Sequence, residues 1–198
     1  MKKALLLLAV LTLGVLSPAA VTVFSDDFNS ENGGVGVLNY NGFANWTVSD
    51  GTVDLIGNGF HDFLPGNGLY VDMDGSTGNA GLMLSKTFSL QAGTYELSYE
   101  LAGNHRNTAQ EAVNVKVNVG VYSDTHSLSQ NAPFTLFTKQ FTLAAAQDIT
   151  ISFEGVGKDN MGMLLDDVKL VAVPAPGAIL LGAMGTSLVG WLRRRRSL

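Results

Sequence analysis

Between Ala112 and Tyr122 apolar and polar residues alternate without a break. Val113, Val115, Val117, Val119 and Val121 fall on one side, with Asn114, Lys116, Asn118 and Gly120 on the other. A period of two is that of a strand with one face in a core and the other in solvent. The same signal recurs from Thr94 to Ala102, where Tyr95, Leu97, Tyr99 and Leu101 share a face, and from Leu164 to Val173, which predicts a closing strand. Shorter runs at Val23 to Phe28, Leu69 to Met73 and Leu82 to Leu90 complete the series. Trp46 to Ser49 and Thr52 to Ile56 flank Asp50-Gly51, which predicts a tight hairpin with positive φ at both turn residues. Phe134 to Leu143 and Asp148 to Glu154 predict a second hairpin-connected pair. No segment keeps a helical period over about twelve residues, and Ala144-Ala145-Ala146-Gln147 is a turn.

Nine or ten short strands separated by Gly- and Asn-rich turns predict an all-β fold, a β-sandwich, spanning residues 21–172. That length suits one domain with a real core. All seventeen acidic residues lie in this middle part, with six basic ones: Lys86, Arg106, Lys116, Lys139, Lys158 and Lys169. Its balance is therefore −11, against −5 for the whole chain. Such a surface repels nucleic acid and favours cations. With no cysteine, the domain is held by its core, with or without a metal.

The two ends differ from the middle. Met1 to Ala20 has Lys2 and Lys3, then an apolar run from Ala4 to Leu16, then the small residues Ser17-Pro18-Ala19-Ala20. This is the pattern of a secretory signal peptide, cleaved after Ala19 or Ala20. The last stretch, residues 173–198, reads VPAPGAILLGAMGTSLVGWLRRRRSL. Its apolar run, 177–192, would span roughly 24 Å as a helix, which snorkelling arginines can fit to a thin bilayer. Trp191 sits at the junction with Arg193, Arg194, Arg195 and Arg196, which keep the C-terminus cytoplasmic by the positive-inside rule. Gly182, Thr186 and Gly190 form a small-residue stripe on this transmembrane helix.

The order of Val173-Pro174-Ala175-Pro176, apolar helix and terminal arginines resembles a PEP-CTERM sorting signal in its VPAPGA variant. That resemblance implies an exported bacterial protein, first anchored in the membrane, then processed by an exosortase-like sorting protease and delivered to the cell surface or extracellular matrix. Ala175 stands where the family usually has Glu. The Phe-rich opening strand, the Gly-rich crossing at residues 57–68, the stretch from Leu69 to Asn104 and the closing LLDDVKL resemble the galactose-binding-like jelly rolls of carbohydrate-binding modules.

Those jelly rolls imply a structural calcium, ligated by the closing-strand Asp and by oxygens from the opening strand. The matching residues are Asp166, Asp27 and Asn29, with Asp26 beside them and Asp72 and Asp74 able to approach from a loop. By the two-residue period Asp166 shares a face with Val168 and Leu170 and should point inward, where a carboxylate needs a partner. The alternative is that Asp166 accepts turn amides and the others are solvated. Calcium needs only oxygen ligands, which this composition supplies.

A ligand surface is suggested by Tyr40, Phe43, Trp46 and Phe60, with His61, Asp62, Asn104, His105 and Arg106 supplying hydrogen bonds for a sugar. Trp46 is more readily read as core, on the face of Val48. His61, His105 and His126 have no metal-ligand spacing, and there is no Cys nucleophile or nucleophile-elbow Ser. The sequence therefore predicts a non-catalytic exported protein that binds carbohydrate or matrix polymer. The alternatives are a purely structural or adhesive matrix protein and a glycan-active hydrolase.

Overall fold

A computed structural model describes residues 20–106 and 111–174. The segment up to residue 19, expected to be a signal peptide, the apolar run 177–192 and the arginine cluster lie outside the described residues. Among the described residues, no helix is long and apolar enough to cross a membrane.

Residues 20–173 form one unit of antiparallel β-structure. In chain order the strands are β1 (Val21–Asp26), β2 (Trp46–Ser49), β3 (Asp54–Gly57), β4 (Leu69–Asp72), β5 (Leu82–Ser85), β6 (Phe88–Leu90), β7 (Gly93–Ala102) and β8 (Glu111–Val117). They continue as β9 (Tyr122–Leu128), β10 (Thr135–Leu143), β11 (Gln147–Ile149), β12 (Ile151–Val156) and β13 (Leu164–Val173). A six-stranded sheet runs β10-β7-β13-β4-β3, with β1 also on β13. A five-stranded sheet runs β2-β5-β12-β8-β9, and β6 and β11 make a separate pair.

The two larger sheets face each other across one apolar core. Leu97, Tyr99, Leu101 and Leu165 come from the first sheet, and Val113, Val115, Val117, Ile151 and Phe153 from the second. Fully burying a large apolar side chain contributes about 1.5–3 kcal/mol, so this layer dominates the stability. The expected faces of Thr94 to Ala102 and of Val113 to Val117 are the ones observed.

Three sequence expectations are corrected. Asp50-Gly51 does not close a hairpin: β2 pairs with β5 in one sheet, β3 with β4 in the other, so the dipeptide carries the chain across the sandwich. Asp50 has a φ of 60°, but Gly51 is not left-handed. Gly51 is needed because a Cβ there would strike the carbonyls of Asn79 and Ala80. The second expected hairpin is also absent, since β10 pairs with β7 while β12 pairs with β5 and β8. The Val/Asn alternation stops at Asn118, where one helical turn, Asn118–Val121, leads into β9. Asn118 holds that corner by donating to the Asp148 carbonyl and accepting from the Thr150 N–H.

A smaller apolar cluster lies on the outer side of the six-stranded sheet. Ile56, Tyr70, Ala102 and Leu164 form it, under Phe60, Phe63 and Leu64 of the Gly-rich crossing. The Tyr70 hydroxyl fixes that crossing: it accepts the N–H groups of Phe63 (2.7 Å) and Leu64 (3.0 Å) and donates to Asp62 Oδ1 (3.1 Å). Burial pushes the Tyr70 phenol up to about 12, so it remains a donor.

Candidate functional site

At the end of this outer cluster is a cavity of about 140 Å³, lined by residues that include Asp54, His61, Phe63, Asp72, Ser76 and Arg106. Its floor follows from strand register. Ile56 and Tyr70 are cross-strand partners in the outer cluster, and two residues along the same strands bring Asp54 opposite Asp72. Two carboxylates face to face on adjacent strands are unfavourable without a counter-charge. Arg106 supplies it, pairing with Asp72, which is 1% exposed, while its own side chain is 22% exposed. The guanidinium also lies 4.9 Å from the centre of the Phe63 ring, within the range of a cation–π contact.

Asn104 is fully buried and orients Arg106 from behind, accepting the Arg106 N–H at 2.9 Å and donating to Glu111 Oε1 at 3.2 Å. Asp72 Oδ1 accepts the N–H groups of Asp74 and Gly162. Even so, burial outweighs the pull of Arg106 and these amides and raises the Asp72 carboxyl to about 7. Burial likewise raises Asp54, which accepts the Asn39 N–H at 2.7 Å. Arg106 Nε is buried with no hydrogen-bond partner among the described residues. The cavity thus offers an aromatic ring, a guanidinium and carboxylate acceptors, a set suited to a polyhydroxylated ring.

The expected ligand residues divide between two places. His61 and Arg106 line this cavity, and Asn104 supports it. Trp46 does not present a face. It is 4% exposed, packs against Phe24 and Phe153, and donates its indole N–H to Asp26 Oδ2 at 2.9 Å. Tyr40 packs edge-on against Phe43 (4.6 Å between ring centres), with its hydroxyl 3.5 Å from Glu31. Of the aromatic residues grouped in sequence, Phe43 and Trp46 join the main core with Tyr40 against them, whereas Phe60 covers the outer cluster. Asp54, Phe63, Asp72 and Ser76 were not expected at the sugar surface, because their convergence depends on register and on the path of the crossing.

The expected metal ligands Asp27, Asn29, Asp74 and Asp166 are engaged in different places. Asn29 Oδ1 accepts the Leu69 N–H at 2.9 Å, tying β4 to the opening stretch. Asp74 belongs with Asp72, Asp159 and Glu111. Asp27 and Asp166 do interact. Asp166 is 5% exposed, accepts the Asp167 N–H at 2.8 Å, and is raised to about 8 by burial, with Asp167, Glu100 and Asp27 adding repulsion. Beside it a cleft of about 470 Å³ is lined by residues that include Asp26, Asp27, Glu100, Asp167 and Lys169. Among the described residues, no group of three His, Cys, Asp or Glu side chains converges as a metal-holding set.

The inward direction expected for Asp166 is also corrected. The register with β7 shifts between Asp166 and Lys169, and Asp167 takes a φ of 48°, the mark of a β-bulge. The bulge flips the alternation. Leu165, Val168 and Leu170 all reach the main core, while Leu164 joins the outer cluster and Asp166 follows it on that side, opposite Glu100.

No protein-family profile matches the chain, and no curated protein matches it in sequence. Its fold is similar to solved β-sandwich modules. One is the tandem CBM22-1–CBM22-2 domain of Paenibacillus barcinonensis Xyn10C, with a TM-score of 0.53 and 12% identity over 80% of this chain and 51% of that one. Another is a xylan-binding domain from CBM 22, with a TM-score of 0.50 and 15% identity over 80% of this chain and 99% of that one. A third is the CBM22-1–GH10 portion of Clostridium thermocellum xylanase 10B, with a TM-score of 0.47, 16% identity and coverage of 80% and 29%. The chain therefore spans about a third of the xylanase fragment and half of the tandem domain. The likeness shows the fold, an all-β jelly roll of the kind found in carbohydrate-binding modules.

Proposed function

We propose that this chain is an exported, non-catalytic protein of the bacterial cell surface or extracellular matrix, and that it binds carbohydrate in the cavity at Arg106. The observation that carries the reading is the guanidinium over the Phe63 ring, set beside Asp54 and Ser76 in a space on the scale of one sugar ring. Modules of the same fold include a xylan-binding domain, which supports a polysaccharide as partner. In this reading residues 1–20 direct export. The Val173–Pro176 motif, the apolar run and the arginines hold the precursor in the membrane until an exosortase-like protease acts.

The reading includes a structural calcium at Asp166 and Asp27, where a cation would offset the buried charge. Asn29 and Asp74 are engaged elsewhere.

Binding is tested on a glycan array with the purified chain and its Arg106→Ala and Phe63→Ala variants. Wild-type binding that both variants weaken supports the cavity as the site, and binding unaffected by both places the sugar elsewhere. The mass of the protein recovered from the source cells tests the tail. Loss of the C-terminal segment near Pro176 supports sorting, and retention of Arg193 to Arg196 rejects it.

A further inference from the structure

At the edge of the five-stranded sheet a lysine amine rests on the side-chain amide of an asparagine. In the pairing of β2 with β5, Trp46 stands opposite Ser85, and the Lys86 N–H donates to the Asn45 carbonyl at 2.9 Å, so Asn45 and Lys86 form the next rung. Lys86 Nζ lies 2.8 Å from Asn45 Oδ1, and Asn45 Nδ2 donates to Asp26 Oδ2 at 3.1 Å. A donor at one end of the amide and an acceptor at the other fix which way it points. Asp26 is itself held: its Oδ2 takes the Trp46 indole N–H at 2.9 Å and its Oδ1 takes the Phe28 N–H at 3.1 Å. Phe24 lies under the amine, 5.6 Å from Nζ to the ring centre. Lys116 is a contrast. Its Nζ meets the Glu154 carboxylate at 3.2 Å, an anion that no amine attacks, whereas Lys86 meets a neutral carbonyl carbon's oxygen.

The geometry points to an isopeptide cross-link between Lys86 and Asn45, which the folded chain forms on itself with Asp26 carrying the proton. Neutral Nζ attacks Asn45 Cγ, the atom bonded to Oδ1, after a small swing of the flexible lysine arm. The Nζ–Cγ bond forms and the Cγ–Nδ2 bond breaks. The proton shed by Nζ passes through Asp26 Oδ2 to Nδ2, which Asp26 already contacts, and ammonia leaves. One amide replaces another, so the balance closes without an oxidant or a second reactant. Holding the two groups side by side replaces a bimolecular encounter. The link would give this cysteine-free chain a covalent brace. It joins residues 41 positions apart and closes a loop holding β3, β4 and the Gly-rich crossing, and with them Asp54, Phe63 and Asp72 of the cavity. It also ties β2, at the edge of its sheet, to β5. Closing such a loop restricts the unfolded chain as a disulfide does.

The test incubates the purified full-length chain, folded, in mildly alkaline buffer, where more of the amine is neutral. The chain is then cut with chymotrypsin at the aromatic residues between Asn45 and Lys86, and the peptides are weighed. Wild type should yield a branched peptide joining the segments of Asn45 and Lys86, lighter than their sum by one ammonia. Lys86→Arg keeps the positive charge but has no attacking amine, and should yield only the separate peptides. Asp26→Asn should form the link about ten-fold or more slowly. The link survives boiling in detergent. Wild type should therefore run ahead of Lys86→Arg on a denaturing gel, whatever the melting temperature of either. Separate peptides alone from wild type overturn the inference. So does Asn45 converted to Asp, which shows that water reaches the amide first. Linking at the same rate in urea shows that the native placement does not direct the reaction, and also overturns it. An unchanged rate in Asp26→Asn overturns the part given to Asp26.

Discussion

Asp54 and Asp72 stand directly opposite each other on adjacent antiparallel strands, 4% and 1% exposed, with Arg106 paired to the second. Removing the guanidinium leaves a buried carboxylate pair with no counter-charge. Arg106→Ala should therefore cost most above pH 7, where Asp72 is ionised, by about 3–5 kcal/mol near pH 9, read from urea unfolding. The loss should shrink in acid, where Asp72, raised to about 7, is protonated in the folded state and no longer needs a partner. A loss independent of pH would show that Arg106 acts through packing on Phe63.

Asp166 makes a second pH-dependent contribution, and its sign is fixed by the direction of the shift. Its folded-state value of about 8 lies above the ordinary 3.8. The folded state therefore holds that proton more tightly, and the stability it brings is full below 3.8, falls as pH rises and is gone above about 8. Asp166→Asn should be more stable than wild type at neutral pH by on the order of 2 kcal/mol, with a flatter stability–pH curve. Calcium at this site reverses the comparison. With calcium, wild type should gain melting temperature that a chelator removes, and Asp166→Asn should not respond.

Trp46 offers a sharp contrast between core and platform. Trp46→Ala should cost about 3–5 kcal/mol and lower the melting temperature without a selective effect on sugar binding. Trp46→Phe keeps most of the volume but leaves Asp26 Oδ2 without the indole N–H, and should cost about 1–2 kcal/mol. Selective loss of binding with an unchanged melt would return Trp46 to the ligand surface.

Tyr70→Phe isolates the device that fixes the crossing. It removes one donor and an acceptor shared by two backbone N–H groups, while the ring remains against Phe134 at 5.5 Å. Stability should fall by about 1–3 kcal/mol, and limited proteolysis should cut residues 57–68 sooner than in wild type.

How far the sequence could be read depended on what each signal measures. The burial of Tyr95, Leu97, Tyr99 and Leu101 and the bounds of β13 were legible, since alternation reports whether one face of a strand meets a core. Alternation does not report which sheet that strand joins. Asp50-Gly51 therefore looked like a hairpin although it carries the chain between sheets. A period of two also assumes an unbroken strand, and the bulge at Asp167 was enough to send Asp166 to the other side. The cavity was legible only in His61, Arg106 and Asn104, which lie on or beside polar loops. Asp54 and Asp72 are eighteen positions apart in sequence and meet through a register that no local pattern encodes.

The path of β13 has a mechanical consequence. The strand lies between β7 on one side and β4 and β1 on the other, and its last residue, Val173, immediately precedes Pro174. A pull on the chain beyond Pro174 would therefore enter the fold lengthwise along an interior strand. The pairings of β13 with Val21 to Asp26 and with Thr94 to Ala102 would then be loaded together, in shear, instead of opening one rung at a time. A protein tethered at that point and gripping a polymer elsewhere would meet drag with the most cross-braced strand it has.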